Sequence, residues 1–446
     1  MGESKTLSVV ISGNGISGLL LACLLQKKNI STAVIYSSNE KTLGISGDIV
    51  FDGMEYNILV SALQDVEGIF AYTLDKFDID IAEIGSQYET IDVFLGNTGN
   101  LVYRNRDFNI WEKELASRFQ GVADKLSNFF LVIKSIAAEN WLALKKSSVG
   151  SSDMVMFMKY FGKSYRDFLE SFTFPEELKD LLFSYAPWDG ISLVTMCGYL
   201  SQITSVYTFD NFKTLQNRLL KIYTTLGGNY INGLVETTKK TETEYHIFTS
   251  DNECIVARNI VVSGDRQELN DLGVEVQQSL RPEKRFGSRV VLFETTETIS
   301  SHLSYPVGYL RTFVNLSTSD YRVILSYLDR KVFKAEIIGP VIENDLDLIL
   351  EQLQKKMLSF GFAGKLYIKK LWSFEDIYNE TGIGEGQINQ WAHSTSEILK
   401  NPLKSVEAAP GAYALGDWGN GFFYSAEIFS RSIIIREQDF HGKEQQ

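Results

Sequence analysis

Short aliphatic runs alternate with longer helical stretches along this chain, and the clearest alternation comes first. Residues 7–12, LSVVIS, are a continuous apolar run ended by glycine, the pattern of a strand buried on both faces. GISGLLLACLLQKK then reads as a helix and STAVIYS as a second buried strand, which together make a βαβ unit of about 30 residues. SGDIVFDGMEYNILVSALQDVEGIFAYTLDKFDI follows as a loop, a strand-like patch and a helix. From about residue 107 to 205 the pattern is helical and strongly aromatic, in FNIWEKELASRFQGVADKLSNFFLVIKSIAAENWLALKK, MVMFMKYFGKSYRDFLESF and PEELKDLLFSY. Helical spacing of Phe, Leu and Met most simply builds a core; a helical cap over an apolar site is the second reading. From 212, FKTLQNRLLKIYTTLGGNYINGLVETTKK predicts a helix, a Gly-Gly turn and a strand, then a meander ending on NIVVSGD. YRVILSYL and VFKAEIIG, within 286–340, alternate as an antiparallel sheet does, and DLDLILEQLQKKMLSF is an amphipathic helix. GAYALGDWGNGFFYSAEIFSRSIIIRE closes the pattern as strand, glycine-rich turn and helix.

Composition narrows this picture. At 446 residues and 44% hydrophobic content the chain is of globular type, long enough for two or three domains. A net charge of −13 argues against a nucleic-acid partner, which needs clustered Lys and Arg. Cys23, Cys197 and Cys254 offer neither a disulfide framework nor zinc spacing, so the reducing cytoplasm fits best. Cys23 falls inside LLLACLL and reads as a buried helix residue. MGESKTLS lacks the charged and apolar regions of a signal peptide; it matches the six-residue myristoylation pattern, one that recurs by chance. Without a secretory signal the sequons at Asn29, Asn315 and Asn379 are idle. No apolar run approaches the ~20 residues of a membrane span, which leaves a peripheral membrane contact open. His246, His302, His393 and His441 are dispersed, so neither a metal site nor a catalytic triad is expected. Nothing in the pattern fixes an oligomeric state.

The chemistry-bearing stretch is SGNGISG. Gly13, Gly15 and Gly18 form G-x-G-x-x-G between a strand and a helix, with Ile16 and Ser17 completing the loop. Gly13 permits the tight turn, Gly15 lets backbone approach a pyrophosphate, and Gly18 lets the helix pack close to the sheet. The helix N-terminus then faces the phosphates. The acid that should hold the adenosine ribose is missing: its place falls at Tyr36 or Ser37, and neither is acidic. Ser37 or Ser38 supplies at most a neutral hydrogen bond of about 1 kcal/mol, and Glu40 would have to reach back. No Arg follows the strand to receive a 2′-phosphate.

Three separated blocks resemble the FAD-dependent amine oxidase and phytoene desaturase superfamily. The first is GNGISGLLLACLL; the second is LQNRLLKIYTTLGGNYINGLVETTKK with ARNIVVSGD; the third is AYALGDWGNGFFYSAEIFSRS. They cover roughly a third of the chain. The resemblance implies FAD as cofactor, adenine meeting the backbone of Val235, and Gly416 and Asp417 at the flavin ribityl chain. It also implies Trp418, Phe423 and Tyr424 near the isoalloxazine, Phe423 at the place of a cage aromatic. The implied fold is α/β: a Rossmann-type FAD-binding domain with parallel sheet, helices and β-meander, in three pieces (1–105, 206–285 and 405–446). A substrate-binding domain of antiparallel sheet and helical cap would take 106–205 and 286–404. This sequence departs from the family in its missing ribose acid, in Gly44 and Gly47 being split with no Arg, and in FDNF standing where a Gly-Gly is expected.

The implied activity is hydride transfer between flavin and an apolar small molecule or lipid, as desaturation, isomerisation or dehydrogenation. The alternatives are an amine or amino-acid-type oxidase, a flavin monooxygenase, and a flavin-free lipid-binding escort of the same fold. Hydroxylating flavoproteins typically follow Gly-Asp with a His and a Pro-rich turn, and GDWGNGFF has neither.

Overall fold

The computed structural model describes residues 6–13, 15–36, 48–145, 159–275, 286–296, 310–340, 346–376, 407–415 and 421–444, with short gaps inside several of these stretches. Strand β1 (Leu7–Ser12) runs into helix α1 (Ile16–Gln26), and the chain returns as β2 (Thr32–Tyr36). β1 and β2 pair in parallel, with Val9 opposite Thr32 and Ser12 opposite Ile35, which is the expected βαβ unit. β3 (Asp48–Phe51) and β4 (Met54–Asn57) form a hairpin. β5 (Leu63–Gln64), α2 (Ile69–Asp75), β6 (Ser86–Tyr88), β7 (Ile91–Leu95) and β8 (Leu101–Arg104) follow. The aromatic stretch folds as α3 (Phe108–Arg118), α4 (Ala123–Lys145), α5 (Tyr165–Glu170) and α6 (Glu176–Ser184). After β9 (Val206–Thr208), which pairs with β5 and β6, come α7 (Phe212–Thr225) and β10 (Asn229–Asn232). The meander is β11 (Val235–Lys240), β12 (Tyr245–Thr249) and β13 (Cys254–Val262), followed by α8 (Arg266–Asp271). β14 (Phe286–Thr295), β15 (Leu310–Asn315), β16 (Arg322–Asp329), β17 (Val332–Pro340), α9 (Leu346–Ser359) and β18 (Leu366–Trp372) come next. β19 (Glu407–Ala409), β20 (Ala412–Ala414) and α10 (Gly421–Glu444) complete the series.

Two large sheets organise these elements. The first is ordered β10-β2-β1-β13-β12-β11, and its core is parallel: β10, β2, β1, β13 and β20 all run the same way. β13 serves two layers. Over Cys254–Ala257 it pairs antiparallel with β12, and over Ile260–Val262 it pairs in parallel with β20. Its inner residues alternate between two cores, as both-sided burial of a parallel strand requires. Val9, Ile11, Val34 and Val261 face α1, whereas Val10, Ala33, Ile35, Ile260 and Val262 face the layer of α8 and the meander.

α1 is apolar on every side because it is covered on every side. Its residues from Ile16 to Leu25 are all buried, between the sheet, α7 and α10. Leu19, Leu20, Leu21 and Leu25 are fully buried, each contributing about 1.5–3 kcal/mol. α10 is held along its length by two buried carboxylates. Glu427 meets Lys76, after α2, at 2.5 Å and Thr73 at 3.3 Å. Three turns on, Glu437 bonds Arg258, and its Oε1 accepts from Asn259 Nδ2 at 2.9 Å. Asn259 and Arg258 also bond Ser8, so β1, β13 and α10 are tied together at the start of the parallel strands.

The second sheet is ordered β18-β14-β17-β16-β15-β7-β8. The antiparallel pattern expected over 286–340 is present, with one departure: β15 pairs in parallel with β7, recruited from residues 91–95. One face of this sheet presents Val290, Leu292 and Trp372 to the core that holds α1. Lys334 lies on the same face, in register with Leu292, and is 2% exposed. Strand alternation alone would place it in solvent. Beside these sheets, α3 to α6 pack around Trp111, Phe129, Phe130, Phe168 and Leu178 as a separate helical core. Among the described residues no helix is long and apolar enough to cross a membrane, and no group of three or more His, Cys, Asp or Glu is placed to hold a metal.

Burial pushes the Lys334 ammonium down to about 8, with Glu336 opposing the shift. The unfolded chain therefore binds more protons than the folded one between about pH 8 and the ordinary lysine value. Stability from this group rises with pH across that window, by on the order of 3 kcal/mol. Urea midpoints taken from pH 7.5 to 10.5 are expected to rise in the native chain, and Lys334→Met is expected to flatten that rise.

Candidate functional site

The C-terminal edge of the parallel sheet gathers the three blocks singled out by sequence. β1 ends at Ser12, and Gly13 turns the chain with φ +91°, a left-handed conformation that favours glycine. Its N–H donates to Ile35 O at 2.8 Å, which fixes the loop against the last residues of β2. A side chain at Gly13 would put Cβ 3.2 Å from Ser263 Cβ; one at Gly18 would meet Ser263 Oγ at 3.2 Å and Ile11 at 3.3 Å. Gly18 thus allows α1 to lie directly on the strand ends, the role the motif assigns to it. Ser263 was not singled out by the motif, yet it is the residue both glycines accommodate.

Gly15 is the N-cap of α1, with φ −56° and ψ 159°, and no side chain caps it. The first turn carries no acidic residue. An apolar helix that opens on glycine presents its amide dipole to whatever lies beyond the loop, which suits an anion. Gly13, Gly15, Ile16, Ser17 and Gly18 are thus the residues whose backbone could hold a dinucleotide pyrophosphate; Gly15, Ile16, Ser17 and Gly18 are all buried.

The neighbouring strands converge on this loop. Ser263 N donates to Ser12 O at 2.8 Å, and Leu415 N donates to Val262 O at 2.9 Å. Leu415 is the residue before Gly416, so the third block leaves the sheet beside the glycine loop. Gly416, Asp417 and Trp418 themselves lie outside the described residues, as do Ser37, Ser38, Glu40, Gly44 and Gly47. Phe423 and Tyr424 fall in the first turn of α10.

On the far side, β2 ends at Tyr36, the position at which the motif calls for an acid. Tyr36 O accepts from Gly233 N, at 2.6 Å, and Val235 follows two residues later at the start of β11. Val235 is thereby brought to the end of β2. The Tyr36 ring stacks on Tyr230 of β10, with centroids 3.9 Å apart and planes 19° from parallel.

The Gly-Gly turn that delivers β10 has a steric cause. Gly227 has φ +85°, and a Cβ on Gly228 would sit 2.2 Å from the ring of Tyr223 in α7. The Tyr223 hydroxyl lies 3.0 Å from Thr32 O, 3.0 Å from Thr32 Oγ1 and 3.1 Å from Asn229 O, locking β10 against β2. Burial pushes this phenol up to about 12, against the opposing effect of its hydrogen bonds. Cys23 is buried in α1 as expected, and burial pushes its thiol to about 12; its Sγ reaches Leu219 O of α7 at 3.4 Å. Cys197 is also buried, while Cys254 is exposed with Sγ 3.9 Å from His246 Nδ1.

Neither protein-family models nor curated protein sequences give a match to this chain. Solved structures do. Putrescine oxidase, wild type bound to putrescine, superposes with a TM-score of 0.60 at 12% identity, covering 97% of this chain and 99% of that one. The CLA-producing fatty acid isomerase from P. acnes superposes with a TM-score of 0.53 at 12% identity, over 95% and 98% of the two chains. RAB GDI from Plasmodium falciparum gives 0.56 at 10% identity, over 97% and 98%. These likenesses are of fold, and they run the length of the chain. The α/β architecture implied by the three sequence blocks is the observed one, shared with an oxidase and an isomerase.

Gly228→Ala is expected to cost about 1–3 kcal/mol by overpacking against Tyr223, read as a lower urea midpoint. Tyr223→Leu loses its own hydrogen bonds and packing, but by vacating the space it is expected to make the combined loss of the double variant smaller than the sum of the two single losses.

Proposed function

We propose that this chain is an FAD-dependent oxidoreductase that transfers hydride between flavin and an apolar small molecule or lipid, in the reducing cytoplasm. The observation that carries the reading is the uncapped N-terminus of α1 opening on Gly13–Gly18 at the end of a parallel sheet, within a fold shared with an oxidase and an isomerase. Bound FAD would supply hydride acceptance and donation. The chain's own part is to hold and enclose it. Gly13, Gly15, Ile16, Ser17 and Gly18 would take the pyrophosphate through backbone N–H groups, and the backbone of Val235 the adenine. Asp417, with Gly416, would accept from ribityl hydroxyls, and Ser37 or Ser38 would add a neutral hydrogen bond near the ribose. Trp418, Phe423 and Tyr424 would line the flavin side of the substrate space.

The substrate domain in this reading is 106–205 with 286–404. The aromatic helices α3 to α6 fall in this domain and pack on one another as its core; a cap over an apolar site is the part this reading gives them. Desaturation, isomerisation and dehydrogenation rank ahead of amine oxidation in this reading. Oxygen consumption with diamines against double-bond shifts in fatty acids separates them. A flavin-free escort is the second reading, favoured by the tyrosine that ends β2 where a carboxylate is expected.

The purified chain is expected to bind FAD and keep its visible flavin bands through gel filtration. Gly15→Asp is the sharpest variant. The backbone there already has N-cap geometry, so the carboxylate can cap the first turn and offset part of the cost of its burial, and the chain is expected to stay folded. The same charge faces the pyrophosphate, so FAD affinity is expected to fall at least about tenfold. A colourless protein that refuses FAD while folded would give the lead to the escort reading.

A further inference from the structure

The end of β2 carries a built feature that the dinucleotide motif does not account for. Tyr36 is the first residue past the Ile35 carbonyl that receives the Gly13 N–H, so it stands at the lip of the glycine loop. Its ring is half-buried and laid flat on Tyr230, centroids 3.9 Å apart. In register Tyr230 lies opposite Val34 and Asn232 opposite Tyr36, so both rings project from the same face of adjacent strands. Tyr230 rests in turn on the core around α1, and β10 is clamped by the Tyr223–Thr32–Asn229 bonds. Tyr36 is thus prevented from swinging, while its hydroxyl makes no hydrogen bond to any described residue.

We propose that the Tyr36–Tyr230 stack is the adenosine rest of the cofactor site, with the Tyr36 hydroxyl bonding the ribose hydroxyls in place of a carboxylate. This rests on the dinucleotide reading above and specifies what replaces its missing acid. A phenol held in one rotamer by stacking offers a donor and an acceptor to a vicinal diol without charge. A neutral hydrogen bond of this kind is worth about 1 kcal/mol, against about 1.5–3 kcal/mol for one to a charged group. The adenosine half is therefore held more loosely than a carboxylate would hold it. Tyr230 is a positioning residue that acts through the ring of Tyr36.

The test is a cycle of isothermal titrations on the full-length chain freed of flavin, using FAD, ADP and 2′,3′-dideoxy-ADP. The native chain is expected to bind ADP about fivefold more tightly than the dideoxy nucleotide, the ratio of one neutral hydrogen bond. Tyr36→Phe keeps the stack and loses the hydroxyl; it is expected to erase that ratio and weaken FAD and ADP by the same factor of about five, with its unfolding midpoint unchanged. Tyr230→Leu removes the ring under Tyr36 and is expected to weaken ADP. If FAD and ADP bind but Tyr36→Phe changes nothing, the tyrosine pair only covers the sheet edge and the proposal falls while the cofactor reading stands. If neither FAD nor ADP binds to the folded native chain, both fall together.

Discussion

The approach of α1 to the end of β1 and β13 is the contact on which the rest of the site depends. Two glycines make room for Ser263, and Gly18 makes room for Ile11 as well. With the helix that close, its first turn stands over the strand ends, so the dipole and the loop amides act at one place. Were α1 displaced by a methyl group, the strand order would survive, but the loop would no longer close over its own helix. The same closeness explains why α1 carries Leu and Ala where other helices carry charge: sheet, α7 and α10 leave it no solvent face.

Charge is placed away from this point. The buried carboxylates Glu427 and Glu437 fasten α10, one near α2 and one at the start of the parallel strands. Each is matched by a cation and further hydrogen bonds, as a buried carboxylate must be. At the loop itself the described side chains are Ser, Tyr and aliphatic. The proposed cofactor would bring its own negative charge to amides alone, in a chain whose net charge is −13.

Much of the parallel-sheet layer was legible because its signals are local. Gly13, Gly15 and Gly18 sit within six residues, and the Gly-Gly turn before β10 lies within one helix length of the Tyr223 that requires it. The buried runs LSVVIS, TAVIY and IVV could be recognised as parallel strands since both of their faces are apolar. What escaped was set by partners distant in sequence. β7 joins the second sheet through β15, more than 200 residues later, and nothing in IDVFL announces that pairing. Lys334 looks like an outward residue in VFKAEIIG until the first core is laid on that face. Tyr230, in a polar strand, gained a role only once β10 was set in register with β2.

The discontinuity of the first sheet has a consequence for the order in which the protein is made. α1 is complete by residue 26, yet one of its coverings, α7, begins at 212 and another, α10, at 421. At roughly 5–20 residues per second, the ribosome needs on the order of 20–80 s to bring α10 out after α1. For that interval a helix of consecutive leucines has no lid, and a chain released early keeps it bare. Apolar surface left open in this way is prone to aggregate, so the order of the elements along the chain makes early α1 the part of the fold most exposed to misassembly.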